Sequence, residues 1–193
     1  MKKLVLASTS PRRIEILSFF SLPLITSSPN FEENNPSYIE DPAKYSREIA
    51  EKKALSVKEK FPKSPILAAD TIVYAKGKLF TKPKDAKNAY KILKELSNST
   101  HSVFTGICVI DGDKLYSDTE ETKITFHNLT DKQIQTYHNH FYFQDKAGGY
   151  IVQKAGSIII KQMAGCYYNV MGLPINTTRE LLSKVGIDLW DYL

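Results

Sequence analysis

Pro65-Ile66-Leu67-Ala68-Ala69-Asp70, continuing through Thr71-Ile72-Val73-Tyr74 to Lys76-Gly77, is the stretch on which the fold turns. Ile66 to Ala69 form an unbroken apolar run, which predicts a central strand of the kind that parallel sheets bury on both faces. That strand delivers Asp70 at its carboxyl end. Ile72 to Tyr74 continue extended, and Lys76-Gly77 marks a turn. On the amino-terminal side, Ile49, Ala50, Ala54 and Val57 share one face of a helix expected from about Asp41 to Phe61, ended by Pro62. On the other side, Asp85 can cap a helix whose inner stripe is Ala86, Ala89, Leu93 and Leu96.

Farther out, Lys3 to Ala7 and Leu22 to Thr26 read as short strands around a helix that begins at Ser10-Pro11. A Pro- and Asn-rich loop then runs through Tyr38. His101 to Phe126 alternates with period two around Asp111-Gly112-Asp113, which predicts a long hairpin. Thr130-Asp131-Lys132-Gln133 is a capping box for a helix to about His138. Ile158 to Met163 and Cys166 to Val170 are expected to form a second hairpin around Ala164-Gly165, and Pro174 opens a last helix through Lys184. A buried parallel-type strand together with hairpins and helices implies an α/β fold with a mixed sheet.

With 193 residues, the chain is long enough for one large domain or two small lobes around a cleft, and a single folded unit is expected. Its 42% hydrophobic and 24% charged residues exclude a disordered or fibrous chain. Cys108 and Cys166 lack paired spacing and read as reduced thiols, which fits a cytoplasmic setting. No apolar run approaches the ~20 residues of a membrane span. The net charge of +5 would draw polyanions, but the lysines are scattered among acids, so nucleic acid is not the expected partner.

Four groups can carry chemistry. Ser8-Thr9-Ser10-Pro11-Arg12-Arg13 lies at a strand-to-helix junction, where hydroxyls and guanidiniums match phosphate oxygens; an ordinary N-cap with surface arginines explains it equally. Asp70-Thr71 stands at the mouth of the apolar strand, where a carboxylate can hold a hard cation or take a proton from water, or simply end the strand. Glu32-Glu33 offers a second carboxylate or a solvated surface pair. Lys53 and Lys82 are candidate fixed charges for a polyphosphate among many ordinary lysines. His138 and His140 lack a third ligand for zinc, and no GxSxG elbow or GxxxxGK[ST] loop is present.

Taken together, LASTSPRR (6–13), Glu33, AEKKA (50–54), AADTIV (68–73), KPKD (82–85), HSVFTG (101–106), DKAGGY (145–150), Gln153 and NVMGLP (169–174) resemble the Maf nucleoside triphosphate pyrophosphatases nearly end to end. The resemblance implies a single Maf-type domain over 1–193. It carries an inosine-triphosphatase-like fold: an elongated mixed central sheet flanked by helices, with two lobes around a cleft. It further implies a cytoplasmic enzyme, often a homodimer, that uses Mg²⁺ or Mn²⁺. Asp70 would then be the proton acceptor and, with Glu33, a metal ligand. Ser8, Arg12, Arg13, Lys53 and Lys82 would surround the triphosphate. Arg12, Thr71 and Gln153 match the specificity positions. Thr71 is similar to the branch acting on dTTP and UTP, whereas the 7-methyl-GTP branch usually carries Gln there; a nucleotide-binding regulator of septum formation is the rival reading. Ile151-Val152-Gln153-Lys154 departs from the usual Gly-Ile-Gln-Gly, and Gly149 stands where Ala is commoner.

Overall fold

The computed structural model describes residues 3–31 and 39–193. Residues 1–2 and 32–38, which hold most of the expected Pro- and Asn-rich loop together with Glu32 and Glu33, lie outside the described residues. The elements are β1 (Leu4–Leu6), α1 (Pro11–Leu17), β2 (Leu24–Thr26), α2 (Pro42–Lys58), β3 (Ile66–Ala75), β4 (Lys78–Phe80), α3 (Ala86–Leu96), β5 (Thr100–Asp111), β6 (Lys114–Phe126), α4 (Asp131–His140), β7 (Ile160–Ala164), α5 (Tyr167–Met171) and α6 (Ile175–Ser183). Short 3-10 turns cover Ala147–Gly149, Lys154–Ile159 and Leu189–Tyr192.

One mixed sheet, β2-β1-β3-β5-β6-β7, holds the molecule together, with β4 on the same β3 edge as β1. β1 runs parallel to β2 and to the start of β3, where Val5 and Leu6 face Ile66 and Leu67. β3, β5, β6 and β7 are successively antiparallel. β4 takes up the edge again at Val73, so the middle of β3, around Asp70, lies between two partial edge partners. The gap arises because β1 turns away after Leu6 into the loop before α1. A ligand site is expected beyond the carboxyl end of such a parallel strand.

Alternation along β3 sorts its side chains between faces. Ile66 and Ala68 pack with Val5, Ala50, Ala54 and Cys108 beneath α2. Leu67 and Ala69 join Leu4, Leu6, Ile16, Met171 and Leu182 on the opposite face. A third cluster, around Phe80, Leu93, Ile124, Phe126 and Ile134, fills the other end under α3 and α4. α2 approaches the sheet so closely that a Cβ on Gly106 would lie 2.3 Å from the Ser46 carbonyl, which is why β5 carries glycine at that point.

Side-chain caps open α2, α3 and α4. Asp41 and Asp85 accept from Lys44 N and Asn88 N, and Thr130 with Gln133 closes a capping box. Ser10, expected as an N-cap, makes no side-chain cap bond; its backbone N–H donates to Ser8 Oγ at 3.2 Å. The expected second hairpin is corrected. Ile160–Ala164 pairs with β6, while Tyr167–Met171 is a helix. The reversal follows from Thr122, whose hydroxyl bonds both Cys166 N and Cys166 O, and from Asn169, whose amide donates to Val103 O and Thr122 Oγ1. These bonds tie the segment to Val103 and Thr122 instead of to the outer edge of β7, and Gly172 at φ 108 ends the helix.

Candidate active site

At the gap in the sheet lies a cavity of about 410 Å³. Ser8, Arg12, Arg13, Lys53, Asp70, Thr71, Lys82 and Gln153 all line it. Every expected site residue that is described therefore reaches one space; Glu33 lies outside the described residues. Among the described residues, five cations line the cavity against two carboxylates, which gives a polyanion a net attractive field.

Asp70 belongs to the α2 side of β3. Its Oδ1 accepts from Lys53 Nζ at 2.6 Å, and both side chains are about nine-tenths buried. Lys53 reaches it because α2 places residue 53 beside Ala50 and Ala54, the face packed on the sheet. A buried carboxylate beside one ammonium keeps acceptor capacity for a water or a hard cation.

Thr71, one residue on, belongs to the opposite face. Its Oγ1 accepts from Arg13 Nη2 at 3.1 Å and lies 3.0 Å from Thr105 Oγ1. Thr105, fully buried, donates its single hydroxyl proton to Asn169 O at 2.9 Å, so Thr71 must donate to Thr105. The proton of Thr71 therefore points inward, and only lone pairs remain for Arg13 and the cavity. Arg13 Nε and Nη1 donate to Gly172 O at 2.8 Å and Ser8 Oγ at 3.3 Å. These bonds fix the guanidinium from three sides.

Arg12 Nη1 donates to Asp145 Oδ2 at 3.3 Å, and Lys146 pairs with Oδ1 of the same carboxylate. Burial pushes Asp145 upward, but Lys146 and Arg12 outweigh it and hold its carboxyl below the usual range. Gln153 Nε2 donates to Glu15 Oε2 at 3.3 Å. Lys82 makes no hydrogen bond or ion pair among the described residues. Val73, Val103, Val152, Val170 and Met171 supply an apolar wall.

Sequence reasoning missed Asp145, Lys146, Thr105 and Tyr150 as contributors, although DKAGGY and HSVFTG contain all four. Tyr150 is pinned by its hydroxyl, 2.8 Å from His101 Nε2, beneath the cavity wall. Burial lowers the His101 pKa to about 4. Burial also pushes the Tyr150 phenol well above its ordinary value. The two histidines weighed for zinc are used otherwise. His138 Nε2 lies 3.2 Å from Gly149 O, and His140 Nδ1 lies 3.0 Å from Thr136 O.

A mixed sheet opened along one edge over a cationic cavity defines an α/β protein of the Ham1 type of fold. The Staphylococcus aureus Ham1 protein superposes with a TM-score of 0.53 over 95% of this chain and 100% of that one, at 14% identity, a likeness of fold alone. The chain belongs to the Maf family: the model of the Maf-like protein family matches residues 3–185. The dTTP/UTP pyrophosphatase of Chlamydia caviae is 45% identical over 192 residues, covering 99% of this chain and 98% of that protein. The dTTP/UTP pyrophosphatase of Pyrococcus furiosus is 47% identical over 183 residues, covering 94% and 95%.

Proposed function

We propose that this Maf-family chain hydrolyses dTTP and UTP to the nucleoside monophosphate and pyrophosphate, clearing them from the nucleotide pool. The observation that carries the reading is the buried Asp70–Lys53 pair, which shares one cavity with Arg12, Arg13 and Lys82. The names of full-length relatives at 45% and 47% identity supply the substrates. Thr71 after Asp70 fits the same branch.

In this reading a water attacks the α-phosphorus in line, and Asp70 Oδ2 orients it and takes its proton. The bond from the α-phosphorus to the bridging oxygen breaks, and its electron pair leaves on pyrophosphate. Arg12, Arg13 and Lys82 neutralise the charge growing on that leaving group. Lys53 holds Oδ1, so that Oδ2 is the oxygen turned to the water. Gln153 carries both a donor and an acceptor, which suits the imide edge of thymine or uracil.

The acidic donors on the cavity wall are the carboxylates of Asp70 and Asp145, oxygen ligands rather than the thiolate and imidazole set of a structural zinc site. They do fit a hard cation that shares its shell with substrate and water, which needs one or two protein carboxylates. Asp70 and Glu33 would hold Mg²⁺ or Mn²⁺ there. When bound, the ion supplies charge neutralisation on the phosphate oxygens.

No helix among the described residues is long and apolar enough to cross a membrane. A cytoplasmic homodimer, each chain one domain of two lobes about the cavity, completes the proposal. Pyrophosphate release from dTTP, UTP and 7-methyl-GTP tests it. Release from the first two is expected; preference for the methylated purine, or no release at all, would overturn it. Asp70→Asn is expected to fold and to lose about 10²- to 10⁴-fold in turnover, the usual loss of a general base.

A further inference from the structure

The chemistry proposed above gives no task to Asp145-Lys146-Ala147-Gly148-Gly149-Tyr150, yet the fold holds this segment firmly. Gly148 and Gly149 take φ values of 73° and 69°, which lets the chain turn tightly. A Cβ on Gly148 would lie 3.1 Å from Val73, and one on Gly149 would lie 3.0 Å from Pro83. Gly148 N also donates to Thr81 O at 3.3 Å. The turn is thereby fixed against Thr81 and Pro83, the neighbours of Lys82, and the Tyr150–His101 bond secures its far end.

That anchoring brings Lys146 to the cavity wall. Its side chain is only 14% exposed, its ammonium pairs with Asp145, and the same ammonium lies 5.0 Å from the Tyr142 ring centroid. Asp145, with a side chain 42% exposed, bonds Arg12 on α1 as well. One carboxylate thus gathers two of the cations that line the cavity, one from α1 and one from its own segment. A phosphate presents the same kind of acceptor oxygens with more negative charge, while Asp145 has water within reach to replace its partners.

We propose that Lys146 is a further phosphate-binding residue, whose ammonium exchanges Asp145 for an oxygen of the substrate's phosphate chain or of pyrophosphate. The proposal rests on the pyrophosphatase reading and adds a residue to its anion site. Asp145 is then a positioning residue for Arg12 and Lys146.

Calorimetric titration of the full chain with inorganic pyrophosphate and Mg²⁺ tests the exchange, using the parent chain, Lys146→Met, Lys146→Arg, Asp145→Asn and the Asp145→Asn/Lys146→Met double variant. Loss of a charge-assisted bond predicts roughly 10-fold weaker binding on Lys146→Met in both the parent and the Asp145→Asn background, with Lys146→Arg much closer to the parent. If the effect of Lys146→Met vanishes once Asp145 is neutral, Lys146 is only the counter-ion of that carboxylate and the proposal fails. Acetylation of the parent chain by an amine reagent gives a second readout that needs no variant. Saturating pyrophosphate is expected to protect Lys146 and to leave the exposed Lys91 unchanged. Unprotected Lys146 in a chain that binds pyrophosphate overturns the proposal. Turnover of dTTP by the parent separates the two levels: turnover without any Lys146 effect sinks this inference alone, whereas no turnover of any triphosphate sinks the underlying reading too.

Discussion

Three nitrogens of Arg13 donate within the protein, and the acceptor on Thr71 is itself ordered by Thr105 and the Asn169 carbonyl. Thr105 does not itself line the cavity, so its influence passes through Thr71. Thr105→Val removes the acceptor of the Thr71 proton and is expected to raise KM for dTTP by about 3- to 10-fold, the worth of one neutral hydrogen bond; Thr105→Ser should restore it. A steady-state comparison showing equal KM in all three proteins would remove Thr105 from this role. His101 gives a pH prediction whose sign follows from burial. Its folded pKa of about 4 lies below the ordinary ~6.5, so between those values the unfolded chain takes a proton that the folded chain refuses. Stability should be flat above about pH 6.5 and fall toward pH 4, by at most roughly 3 kcal/mol from this group. Denaturant midpoints at several pH values should show a shallower fall in His101→Gln.

β5 and α2 meet where Gly106 faces the Ser46 backbone, and no side-chain movement can make room there. Gly106→Ala should therefore destabilise the fold by at least about 1–3 kcal/mol, the range for an overpacked core, read as a lowered thermal midpoint. The β5–β6 hairpin was legible in the sequence because period-two alternation and Asp111-Gly112-Asp113 agree. The α4 capping box was legible for a similar reason, its signal being local. Tyr167–Met171 was not. A short apolar run fits strand or helix, and the choice was made by Thr122, which is remote in sequence. The same contrast governs the site. Asp70 and the Ser8-to-Arg13 stretch stood out because each directly follows a short apolar run, although β3 continues past Asp70 to Ala75, whereas Asp145 and Lys146 acquire meaning only when the fold brings Arg12 across 133 residues. Thr105 gave no local signal at all, since its role depends on facing Thr71 in the antiparallel register.

Across the whole molecule, the excess of cations around the cavity is part of a net charge of +5. Association of a triphosphate should accordingly slow as salt shortens the Debye length from about 10 Å at 0.1 M. kcat/KM measured from low to moderate ionic strength should fall, and a flat profile would argue against steering. A chelator is expected to abolish turnover while leaving the thermal midpoint of the substrate-free chain nearly unchanged, because the core clusters pack without help from an ion. Asp70 and Thr71 occupy successive positions of one strand and bond to partners on opposite faces, Lys53 and Arg13. A single inserted or deleted residue in β3 would exchange the two, turning the acid toward Arg13 and the hydroxyl toward Lys53. Divergence of the lineage along this strand is thereby confined to swapping side chains at constant length, and indels should be selected against there far more strongly than at the Gly112 turn.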